Sequence, residues 1–140
     1  MKYFRAIADV ELRQMQATGK IPPSPNEKPP YGAGAVVYLL SEDAPPEYVR
    51  AYGEDAFDRT VLFNEPKVDT LHVIAITLTP EQQAKVEVDK SAPGVPYHFV
   101  HPGAIDVNGR FEVLVAVSSS LSRDDRNSAI ETAIEAAKGK

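Results

Sequence analysis

The chain has 140 residues, 43% of them hydrophobic and 25% charged, with a formal net charge of −5. That balance suits one globular domain over residues 1–140 and offers no electrostatic grip on a phosphate backbone, so a DNA or RNA binder is not expected. The absence of cysteine removes disulfides, thiolate metal sites and cysteine nucleophiles together. The longest apolar run, Ala33 to Leu40, is far shorter than the roughly 20 residues of a membrane helix, and the first residues lack a signal-peptide core. A soluble, cytoplasmic protein without a membrane partner is expected, with export as an effector left open.

Lys2 to Ala6 alternates charged and apolar residues and reads as a short strand. Asp9 can cap the helix that follows, which carries Val10, Leu12 and Met15 on one side and ends at Gly19, a residue that tolerates the left-handed backbone. Five prolines between Pro22 and Pro30 then make Lys20 to Gly34 an extended loop. A loop this long is either functional or a solvated connector.

Ala35 to Leu40 is apolar throughout, as in a strand buried on both faces. Ser41 can cap a following helix that begins near Pro45 and Pro46 and stops at Gly53. Thr60 to Phe63 and Leu71 to Leu78 read as strands, the second rich in β-branched residues. Thr79, Pro80 and Gln82 form a capping box that opens a short helix. Strands are expected through Val86 and Val88, over Tyr97 to Val100, and over Phe111 to Val117, the last after an Asn108-Gly109 turn. From Ser122 a helix carries Ile130, Ala133, Ile134 and Ala137 on one side. It packs that side on the sheet or offers it to a partner. No regular βαβ alternation appears, so the expected class is α+β, with a bent, mostly antiparallel sheet, short helices early and a helix at the end.

The order of arginine strand (Arg5), helix, Gly19, loop and strand ending in Ser41 resembles small bacterial proteins of the ADP-ribosyltransferase-like superfamily, mainly over residues 1–53. The resemblance implies an enzyme that transfers ADP-ribose from NAD⁺, here a substrate rather than a bound cofactor, to an acceptor that the sequence does not name, with a toxin or effector acting on a protein target as one such role. It assigns Arg5 to the NAD⁺ diphosphate, where a guanidinium fits by two parallel hydrogen bonds. It assigns Ser41 to the nicotinamide end, where the neighbouring Tyr38 ring can stack, and the proline-rich loop with Tyr31 is expected to cover the donor site. Glu112, on a late strand, takes the catalytic place, where a carboxylate stabilises the oxocarbenium-like state. Arg110 occupies the position of the acidic or amide residue of arginine-specific members, which speaks against arginine as acceptor.

Each assignment has a plainer alternative. Glu112 alternates with apolar neighbours as an exposed strand residue would, and Arg5 suits a surface ion pair. Ser41 suits a cap, and Tyr38 suits core packing. His98 and His101 are three apart and fall on opposite faces of a strand, so no metal site is expected. No G-x-S-x-G elbow is present, and YGAGA lacks the lysine and spacing of a phosphate-binding loop. The reading from a different class is a non-catalytic interaction module, such as an immunity or adaptor protein, whose acidic surface docks a basic cognate partner.

Overall fold

The computed structural model describes residues 2–24, 29–51 and 69–138. The chain folds as one small α+β domain. Its strands are β1 (Lys2–Ala8), β2 (Lys20–Ile21), β3 (Val36–Ser41), β4 (Thr70–Thr77), β5 (Glu87–Val88), β6 (His98–Pro102), β7 (Ile105–Asp106) and β8 (Phe111–Ser118). The helices are α1 (Asp9–Thr18), α2 (Pro80–Ala84) and α3 (Arg123–Lys138), with a further helical stretch at 46–51. The main sheet runs β5-β6-β3-β1-β4-β8, and β2 and β7 form a separate two-stranded ribbon. Every strand pair described is antiparallel.

β1 lies at the centre of the sheet because its sequence can be buried on both faces. Tyr3 and Ile7 join one core with Val37, Leu39, Ile74 and Ile76, roofed by Leu12 and Met15 of α1 and by Ile21 and Ile105 of the ribbon. Phe4 points the other way, into a core with Leu40, Val73, Ala75 and Val117, closed by Ile130 and Ile134 of α3. The apolar runs of β3 and β4 follow from the same position: strands with helices on both sides have no solvent face. α3 is fastened at two further points. Glu131 lies 3.6 Å from Arg50, and the Lys138 ammonium donates to the Ala44 carbonyl at 2.5 Å.

Local signals account for several boundaries. Gly19 has φ 71° and its N–H reaches the Met15 carbonyl, ending α1 in the left-handed turn that glycine permits. Thr79 and Gln82 make the reciprocal capping box of α2. Gly109, at φ 83°, turns the chain from β7 into β8.

Three expectations need correction. Asp9 does not cap α1: Ala8 holds the cap position without a side-chain bond, because the Asp9 carboxylate is drawn outward to Arg13 and His72. Ser41 does not cap a helix either. It is the last residue of β3, its Oγ accepts from the Asp43 N–H at 3.2 Å, and helix begins only at residue 46, where proline's missing donor is harmless. Lys20 and Ile21 are strand rather than loop, since pairing Ile21 with Ile105 buries both. The strand expected over Thr60 to Phe63 and the helix stop at Gly53 lie outside the described residues.

Ile134 is fully buried against the sheet. Ile134→Ala is expected to lower stability by about 2–5 kcal/mol in urea denaturation, whereas Thr132→Ala, on the exposed side of α3, is expected to change it by under about 0.5 kcal/mol.

Candidate functional site

Arg5 stands in phase with Tyr3 and Ile7, on the α1 side of the sheet. The register between β1 and β3 covers Tyr3 opposite Ser41 and Phe4 opposite Leu40. Past that point the Arg5 Nη1 donates to the Tyr38 carbonyl at 2.5 Å, and Nη2 lies 3.6 Å from Glu11 of α1. The guanidinium therefore bonds the backbone of one neighbouring strand and the carboxylate of the covering helix. Ser41 is 4% exposed. Its Oγ serves the Asp43 N–H, and its own N–H donates to the Tyr97 carbonyl at 2.9 Å.

Glu112 is on the other side. It lies opposite Ala75, in phase with the α3 core, on the edge strand β8. With Lys2, Glu42 and Lys138 it rims a shallow depression floored by Phe4, Ala75, Leu114 and Ala137, about 340 Å³ including its open mouth. Arg5 and Glu112 are thus separated by the thickness of the sheet, and neither Tyr31 nor Tyr38 lines the depression at Glu112.

Tyr31 and Tyr38 do come together, their ring centroids 6.4 Å apart and edge to face. The Tyr31 hydroxyl accepts from the Lys90 N–H at 2.9 Å and donates to the Val88 carbonyl at 3.3 Å, which ties the end of the proline-rich loop to β5. Burial raises the Tyr38 pKa above the ordinary tyrosine value, and the negative charge of Asp89 adds to the effect.

His98 and His101 sit on opposite faces of β6. The His98 ring lies 6.1 Å from that of Tyr48, and the buried His101 has its Nδ1 3.2 Å from the Gly103 carbonyl. Among the described residues no three His, Asp or Glu side chains converge to hold a metal. No described helix is long and apolar enough to cross a membrane.

Two polar groupings went unread in the sequence. The first is Asp89, 1% exposed, whose Oδ1 accepts from the Ser91 N–H at 2.8 Å and the Ser91 hydroxyl at 2.6 Å. The spacing D-x-S after a strand is the only local sign of such a turn. The second pairs Asp9 Oδ1 with His72 Nε2 at 2.5 Å, across 63 positions of the chain. Periodicity gives no hint of it.

No family model matches the chain, and neither a curated protein nor a solved structure does.

The bond from His72, followed by that from Arg13, holds the Asp9 carboxyl below the usual aspartate range. Asp9 is thus more acidic folded than unfolded, so its stabilising contribution is present above about pH 4 and is lost as pH falls through its lower folded value. Asp9→Asn is expected to lower the urea midpoint at pH 6, with the gap to the parent closing near pH 2. An unchanged gap at pH 2 would contradict this assignment.

Proposed function

We propose that the protein is a non-catalytic interaction module that docks a basic partner, as an immunity or adaptor protein does. The observation that carries this reading is the separation of Arg5 from Glu112. An ADP-ribosyltransferase needs its diphosphate-binding arginine and its catalytic glutamate on one ligand. Here the arginine is engaged with Tyr38 and Glu11 on the α1 side, while the glutamate faces the α3 side. Ser41 is buried and committed to a turn. Drawing these groups into one cleft would expose two apolar cores that stabilise the domain.

Charge supports the choice of partner. The formal net charge is −5, and α3 leaves Asp124, Asp125, Glu131 and Glu135 exposed. A surface of one sign steers an oppositely charged partner into encounter, and that gain falls with added salt.

Incubation with NAD⁺ tests the proposal directly. The expected result is neither saturable NAD⁺ binding in calorimetry nor nicotinamide release above the buffer rate. Nicotinamide release by the parent protein that disappears in Glu112→Gln would overturn it and restore the transferase reading.

A further inference from the structure

The sheet edge made by β5, β6 and β3 carries two tyrosine pairs, Tyr31 with Tyr38 and Tyr48 with Tyr97, in the neighbourhood of one buried carboxylate. Asp89 directly follows β5, and its N–H donates to the His98 carbonyl at 3.0 Å, so the two residues lie side by side on neighbouring strands. Tyr38 stands on the next strand, near enough that the Asp89 charge acts on its hydroxyl. Tyr31 packs on Tyr38, and Tyr48 packs on Tyr97 and His98.

The two oxygens of Asp89 are not equivalent. Oδ1 takes two donors from Ser91, which fills its lone pairs. Oδ2 is buried and has no hydrogen-bond partner among the described residues. A carboxylate removed from water with one oxygen unserved is destabilising, and folded chains rarely retain one without a use. The segment around it is held in place. The Asp89 N–H bonds to His98, the Tyr97 carbonyl accepts from Ser41, and the Tyr31 hydroxyl clasps Val88 and Lys90. Tyr97 has φ 73°, the one described non-glycine residue in the left-handed region. Strain of that kind persists where the surroundings fix a particular geometry.

Asp89 lies one layer below the surface, since its bonded neighbour Ser91 and the rings of Tyr31 and Tyr38 are only partly buried. Gly32 and Gly34 follow Tyr31, and no neighbouring heavy atom lies within 4 Å of where a Cβ would stand on either.

We propose that Asp89 Oδ2, flanked by Tyr31 and Tyr38, binds a primary alkylammonium group of the kind a lysine side chain carries. One oxygen with two open lone pairs suits a compact ammonium with rotatable donors. A guanidinium fork prefers both oxygens of a carboxylate, and here Oδ1 is already filled. Tyrosine rings beside the carboxylate add cation–π attraction and replace water around the charge. This inference rests on the interaction-module reading and names how the module would grip a basic partner: by one anchoring lysine.

The test uses Nα-acetyl-lysine amide as probe and its Nε-acetylated form as the neutral control, with NMR of the full chain as readout. Saturable shifts at Tyr31, Tyr38 and Ser91 are expected with the charged probe, with half-saturation on the order of millimolar, as fits a single anchoring group. The neutral form is expected to give none. Asp89→Asn keeps the Ser91 bonds and removes the charge, so it is expected to abolish the shifts and raise the Tm of the unliganded protein. Equal shifts from both probes, no shift from either, or a lowered Tm in Asp89→Asn would each overturn the site. Probe shifts confined to α3 would overturn the site while leaving the interaction module standing. Turnover of NAD⁺ bears on the module alone.

Discussion

The whole arrangement depends on β1 being buried on both faces. A seven-residue strand with Tyr3 and Ile7 on one side and Phe4 on the other can only sit in the middle of a sheet covered twice. Once it does, β3 and β4 become its neighbours and must themselves be apolar on both faces. α1 and the β2–β7 ribbon then close one side, and α3 closes the other. The hydrophobic effect fixes this layering because each layer removes a separate apolar face from water.

That layering also decides which polar residues can cooperate. A sheet is a partition: residues in phase along a strand share a face, and residues out of phase do not meet. Arg5 is in phase with the α1 core and Glu112 with the α3 core. The Tyr31–Tyr38–Asp89 grouping forms elsewhere, where β3 and β6 approach the short edge strand β5. The two edges of the sheet differ accordingly. β5 is two residues long and hemmed by the Tyr31 clasp, whereas β8 runs eight residues and is backed by α3.

Much of the fold was legible in the sequence because it follows from short-range signals. The continuous apolar runs of β3 and β4, the glycine stop of α1, the Thr79 capping box and the apolar side of α3 each need only a few neighbouring residues. The misreadings arose where a distant partner won. Asp9 looked like a cap until His72, on the neighbouring strand β4, took its carboxylate. Ile21 looked like loop because its strand partner, Ile105, lies 84 positions away. The candidate site was less legible for the same reason. A pattern of residue types along a chain says which groups are present, but the face each one occupies comes from register. Asp89 and Ser91 gave no signal beyond a turn-forming pair, since burial of a carboxylate is decided by strands that close over it.

The partition itself is open to direct measurement, because the absence of cysteine allows one to be placed uniquely. A nitroxide attached at Glu112→Cys is expected to broaden the NMR signals of Phe4, Ala75 and Ala137 on the α3 side. Leu12, Met15 and the Arg5 guanidinium, across the sheet, are expected to be much less affected. Strong broadening of Arg5 and the α1 residues, equal to that of Ala137, would contradict the account and bring Arg5 and Glu112 into one cleft.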